Sequence, residues 1–315
     1  MMTALAVAAL LASARTSTGQ PATPPRAPTP QAAPRTASPV TVTSRPAAPR
    51  PGDVVRVDLT ASEPIARVDA YALVKVWPFV IAADGRHATT LVAVSLDTRL
   101  GPHTIDIRGT TVRGGAVEAA HDLRIQKVVF PTDRLRVAPK FVEPSPDARE
   151  RIARERARLG ELANHVSRDR AWQAPFEPPL PTKLTAVFGT RRVFNGQMQS
   201  QHRGIDLDGK VGDPVAAPGA GRVALADDLY YTGGTVIIDH GHGVMSLLAH
   251  LSRTLVKEGQ IVRRGEIVGE VGATGRVTGP HLHWTAWVGS VAVDPRSLLK
   301  ALDAVSVEAR PAPAR

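Results

Sequence analysis

The chain has 315 residues, with 39 Lys and Arg against 29 Asp and Glu and no cysteine. That length allows two folded units plus connecting segments; without cysteine there are no disulfides, thiolate nucleophiles or zinc–cysteine sites, so any metal centre must use histidine and carboxylate. The net charge of +10 favours polyanions, but no Lys/Arg-rich run with interleaved aromatics and no zinc-finger or RNP-like pattern occurs, which argues against nucleic acid and leaves anionic envelope polymers or lipid head groups as partners of the charge.

Residues 1–14 hold a short apolar run ending in Ala12-Ser13-Ala14, the small-x-small form of a signal-peptidase site. The segment reads as a signal peptide, too short to span a bilayer, and predicts export to the periplasm or cell envelope, or secretion, with no transmembrane span. Residues 15–50 are dominated by Pro, Ala, Thr, Ser and Arg and contain no Asp or Glu. Such a composition cannot bury enough apolar surface to offset ordering entropy, and a disordered, basic linker is expected.

Over residues 51–140 the pattern becomes period-two: Val55, Val57 and Leu59 alternate with Arg56, Asp58 and Thr60. Further strand-like runs, separated by Asp84-Gly85, Gly101-Pro102 and Gly114-Gly115, argue for a small antiparallel sandwich. It resembles the immunoglobulin-like modules placed ahead of catalytic domains in bacterial envelope enzymes. His87, His103 and His121 are isolated within it and read as surface or hydrogen-bonded residues. Ser145-Pro146-Asp147 then opens a charged helix over 145–172, with Ile152, Leu159, Leu162 and Val166 near helical spacing and Arg151 and Glu155 among its opposite-charge neighbours.

Residues 180–302, rich in Gly and Val with many tight turns, read as a second all-β domain, and 303–315 as a flexible tail. The domain holds His202, His240, His242, His250, His281 and His283. A strand through His281-Leu282-His283 aims both imidazoles at one space, where one can ligate while the other faces substrate. In a straight strand, the ends of His202-Arg-Gly-Ile-Asp206 would lie about 13 Å apart, far for one ion. Gly204 permits the bend that brings them together. With His283 the set is two imidazoles and one carboxylate, which leaves zinc's fourth position open, as hydrolytic sites require. His250 and His281 are then free to act on water or on the developing oxyanion. Arg203 and Asp208, beside the ligands, are candidates for orienting or surface roles. His242 reads as a turn residue, and His240 as structural support.

These residues resemble the M23 family of zinc metallopeptidases, the lysostaphin/LytM-type peptidoglycan hydrolases, over residues 184–299. The resemblance is carried by His202-x-x-x-Asp206, Pro214-Val-Ala-Ala-Pro-Gly219, Ile238-Asp-His-Gly241, Ala249-His-Leu-Ser252 and Gly275-Arg-Val-Thr-Gly-Pro-His-Leu-His283. It implies a compact, mostly antiparallel C-terminal metallopeptidase domain with a groove, so the whole chain reads as mainly β, with the immunoglobulin-like sandwich and connecting helix ahead of that domain. One Zn2+ would be bound by His202, Asp206 and His283, with His250 and His281 as the catalytic pair. The implied activity is a zinc-dependent endopeptidase hydrolysing peptide bonds in bacterial peptidoglycan, in cross-links or stem peptides. The alternative is a non-hydrolytic or autoinhibited regulator of other cell-wall hydrolases; retention of all five positions argues against lost catalysis. Leu248 stands where the family commonly has tyrosine, which questions a groove contact there.

Overall fold

The computed structural model describes residues 39–303, apart from 166, 168, 169, 173 and 174 and the side chains of 198 and 199. The segment read as a signal peptide, the linker as far as residue 38 and the tail after residue 303 lie outside the described residues.

The first lobe carries β1 (Val40–Arg45), β2 (Val54–Ala61), β3 (Ile65–Ala72), β4 (Lys75–Pro78), β5 (Val80–Ile81), β6 (His87–Ala93), β7 (Gly101–Thr111) and β8 (Ala116–Ile125). Two four-stranded sheets result, ordered β1-β2-β6-β5 and β4-β3-β7-β8. Val55, Val57 and Leu59 share a core with Ile105 and Ile107, so the period-two pattern becomes the inner face of a sandwich. One expectation changes: residues 40–45, placed in the disordered linker by composition, are strand β1, paired antiparallel with β2 from Val40↔Ala61 to Arg45↔Arg56. Val40 and Val42 pack against the core. The Val-Thr-Val-Thr alternation is a strand signal too short to stand out from its Pro- and Ala-rich surroundings.

Strand β9 (Thr132–Leu135) and helix α1 (Pro146–Asn164) connect the lobes. Ser145 caps α1 by accepting from the Ala148 N–H at 3.2 Å. The helix stops at Asn164, short of the expected 172, because His165 turns extended at its C-cap.

The second lobe comprises β10 (Leu184–Ala186), β11 (Arg191–Phe194), β12 (Gln197–Gln201), β13 (Ile205–Asp208), β14 (Pro214–Ala216), β15 (Gly221–Leu229), β16 (Gly233–Gly241), β17 (Val244–Thr254), β18 (Ile261–Val262), β19 (Ile267–Val271), β20 (His281–Val288), β21 (Val291–Val293) and helix α2 (Pro295–Leu302). Its main sheet runs β10-β13-β20-β17-β16-β15-β18, and β9 joins β11 and β12 in a separate three-stranded sheet, parallel to β11. The architecture is therefore mainly β, two sheet-rich lobes joined by α1.

Residues opposite each other in antiparallel strands share a face. Leu207, Leu282, Leu248 and Trp284 form a core on one side of the main sheet. Asp206, His283 and Ala249 lie in a row on the other. On that second face Leu225, Ile237, Leu247 and Ala249 are covered by Leu159 and Leu162 of α1. Arg158 anchors the helix, reaching Asp227 at 2.8 Å and Glu258 at 2.7 Å.

The lobes also share a core, in which Val54, Val57 and Val92 cluster with Val244, Ala286, Val288, Val293, Leu298 and Leu302. Across the junction the Asp294 N–H donates to the Gly52 carbonyl at 2.8 Å, and His242, at φ 54 in the β16–β17 turn, donates from Nε2 to the Pro78 carbonyl at 3.0 Å.

His240 is wholly buried: its Nδ1 donates to the Ala220 carbonyl at 2.9 Å, and its Nε2 accepts from Ser246 at 3.0 Å. Burial pushes its pKa down to about 4 despite the carbonyl contact. Between pH 6.5 and 4 the unfolded chain therefore binds a proton that the folded chain refuses. Stability present above 6.5 should be lost as pH falls through that window, by about 3 kcal/mol for this group. Denaturant unfolding of the wild type and His240→Gln across that range should show the variant losing less stability by this amount.

Candidate metal centre

His202 precedes β13, Asp206 lies within it, and His283 stands directly opposite Asp206 on β20. Their donor atoms form a triangle: His202 Nε2 to His283 Nδ1 is 3.0 Å, His202 Nε2 to Asp206 Oδ1 is 3.0 Å, and His283 Nδ1 to Asp206 Oδ1 is 2.8 Å. A tetrahedral zinc ion with bonds of about 2.0–2.1 Å holds its ligands about 3.4 Å apart, so accepting it requires only a slight opening of this triangle.

The hydrogen bonds behind the rings decide which nitrogens face the triangle. His202 Nδ1–H donates to the Val187 carbonyl at 3.0 Å, which leaves Nε2 with a lone pair directed inward. His283 Nε2 meets Thr285 Oγ1 at 2.9 Å, leaving Nδ1 turned to the site. Burial pushes His283 down to about 4, against the opposing pull of Asp206, so the imidazole is neutral near pH 7. Burial alone would raise the Asp206 carboxyl, but its contacts with His202 and His283 outweigh that and hold it well below the usual range. Three converging lone-pair atoms of this kind, one of them ionised, are satisfied by a cation, and this cluster fits one zinc ion.

Gly204 serves this geometry by close approach as well as by bending: a Cβ there would lie 2.5 Å from the Trp284 carbonyl oxygen and 2.7 Å from His283 Cε1. The second Asp206 oxygen is engaged by the guanidinium of Arg192, on β11. Arg192 has no sequence signal, being one of two adjacent arginines on a strand that folds over the site. Arg203 and Asp208, the neighbours considered from sequence, are exposed. Removing an outer partner of a ligand typically weakens metal binding about 10–100-fold. Arg192→Ala should therefore lower zinc affinity by that factor in competition with a chelating dye, with Arg192→Lys in between.

The two remaining histidines also arrive here. β17 carries an extra residue opposite Thr235, a bulge that places His250 at φ 66, an uncommon conformation for a non-glycine residue. Its ring centroid lies 5.8 Å from that of His283 and 4.9 Å from that of His281. His250 Nδ1–H donates to the Thr274 carbonyl at 2.8 Å, and His281 Nδ1–H to the Gly279 carbonyl at 2.9 Å. Each keeps an unprotonated Nε2 in its neutral form, and that of His281 is 3.8 Å from Asp206 Oδ1. Burial first, then the neighbouring His283 and His281, push His250 down to about 3. Beside them Arg276 is stacked between Phe194 and Tyr231, at 4.4 and 4.5 Å from the ring centroids. Leu248 is fully buried on the opposite face, against Trp284 in register, so its side chain makes no groove contact.

The model of peptidase family M23 matches residues 200–295, which contain all five of these residues. Peptidoglycan DD-endopeptidase ShyA of Vibrio cholerae is 47% identical over 103 residues, 32% of this chain and 24% of that protein. Peptidoglycan DD-endopeptidase ShyC of the same organism is 37% identical over 118 residues, 37% of this chain and 27% of that one. The chain thus spans about a quarter of the length of these curated relatives. A crystal structure from Pseudomonas aeruginosa described as a peptidase M23 is 30% identical, with a TM-score of 0.62, over 80% of this chain and 96% of that one. The chain belongs to peptidase family M23. Since 80% of the chain is more than its second lobe holds, the likeness to that M23 structure takes in part of the sandwich as well.

Proposed function

We propose that the chain is a zinc-dependent endopeptidase that hydrolyses peptide bonds in bacterial peptidoglycan, D,D cross-links foremost. The observation that carries this reading is the triangle of His202, Asp206 and His283 donors, with His250 and His281 beside it. The names of the ShyA and ShyC relatives support the choice of substrate and bond.

When bound, zinc supplies Lewis acidity for the scissile carbonyl and activates water for attack. His202, Asp206 and His283 would hold it, and Arg192, by taking one Asp206 oxygen, leaves the other to ligate. His250 and His281 act as the catalytic pair. With each Nδ1–H fixed on a backbone carbonyl, their Nε2 atoms accept the proton of the attacking water and return it to the leaving amine. Once protonated, either ring steadies the tetrahedral oxyanion.

The apolar run at residues 3–14 supports export to the periplasm or cell envelope, or secretion, and the net charge of +10 supports contact with anionic envelope polymers. Among the described residues no helix is long and apolar enough to cross a membrane. The test is release of soluble muropeptides from purified peptidoglycan by the whole chain, with and without chelator, with the cleaved bond identified by mass spectrometry. No release by protein that holds one zinc would overturn the reading in favour of a regulator of other hydrolases.

A further inference from the structure

Away from the metal centre, a cavity of about 680 Å³ opens between the β1–β2 edge of the sandwich and helix α2. Arg45, Arg50, Arg56, Arg296 and Lys300 contribute five cationic side chains to its wall. We propose that this cavity is a binding site for a phosphoryl group, one that ties the two lobes together when filled.

Arg56 is the observation that points to a ligand. Its side chain is only 7% exposed, and its Nε donates to Asp58 at 2.8 and 3.0 Å. Its Nη1 is buried with no hydrogen-bond partner among the described residues. A charged donor left unmade in the interior is costly; Arg56 lines the cavity, and a small turn of its guanidinium toward that space would let an anion there supply the missing acceptor.

The charge balance narrows the ligand. Two carboxylates, Asp53 and Asp294, lie in the wall, and Asp58 sits behind Arg56 and Arg45. Asp294 is occupied by Arg296 through two contacts of 3.1 and 2.7 Å and by the first turn of α2, while Asp53 accepts from the Arg50 N–H at 2.8 Å. Five cations against these three carboxylates leave a surplus of two positive charges. A phosphate monoester carries about −1.5 to −2 and matches that surplus, as do two neighbouring diester phosphates of a polymer at about one charge each, whereas one carboxylate neutralises half of it. Arginine's planar fork also suits phosphate oxygens.

The phosphoryl group can be free or carried on an envelope polymer, and the experiment separates the two. This inference does not rest on the peptidase reading, because the assay measures binding and not hydrolysis. The whole zinc-loaded chain is titrated calorimetrically with inorganic phosphate, with a soluble glycerol-phosphate polymer, and with acetate. Saturable one-site binding of phosphate is expected, weakened about tenfold or more by the exposed double substitution Arg50→Gln/Lys300→Gln and also by Arg56→Gln. It should persist in Asp206→Asn, which disables the metal centre. Competition by the polymer would assign the group to a polymer-borne diester, and its absence to a free phosphate. The site is overturned by absence of binding at millimolar phosphate, by an unchanged affinity in the double variant, by loss in Asp206→Asn, or by acetate binding as tightly as phosphate.

Discussion

His283→Ala should lower peptide-bond cleavage by about 10³-fold or more, since the Lewis acid contributes several kcal/mol to transition-state stabilisation and each 1.4 kcal/mol is a factor of ten. The substitution removes one vertex of the donor triangle and leaves Asp206 with its Arg192 partner, so no carboxylate is stranded in the interior. Turnover should be measured beside zinc content and circular dichroism. A folded variant that has lost both metal and activity supports the assignment; one that keeps its activity refutes it. Chelation of the wild type should reproduce the same loss, and added zinc should restore it.

Replacement of His250 or His281 should reduce turnover by about 10²–10⁴-fold, the range for a lost general acid or base, without displacing the metal. The contrast in zinc content separates these two residues from the three ligands. At position 250 the substitution should be asparagine, which tolerates the left-handed backbone at φ 66 and lacks the imidazole; at position 281 alanine suffices. Loss of zinc in either variant would recast that histidine as a ligand, and full activity would remove it from the chemistry.

The site was legible in the sequence where strand alternation governs it. His281 and His283 share a face because residues two apart in a strand must, and the mixed His and Asp set follows from a chain without cysteine. Register was not legible: that Asp206 stands opposite His283 depends on how β13 aligns with β20, which no local pattern records. Nor was the bulge that turns His250 toward the metal face, since nothing in Leu-Ala-His-Leu marks a left-handed residue. Arg192 escaped for a related reason, as its contact with Asp206 is made only when β11 folds across the site. In the fold, the sandwich alternation was plain from Val55 onward, whereas β1 lay hidden in a Pro-rich stretch.

The apolar interior that runs from the sandwich into β17, β20, β21 and α2 has a bearing on modularity. A fragment cut near residue 171 would keep every zinc ligand, yet it would expose Val244, Ala286, Val288, Val293, Leu298 and Leu302 to water. The span that carries the chemistry is therefore smaller than the span that buries this shared core. Transplanting residues 200–295 onto another scaffold would transfer the ligands without the packing that holds β20 in place beneath them.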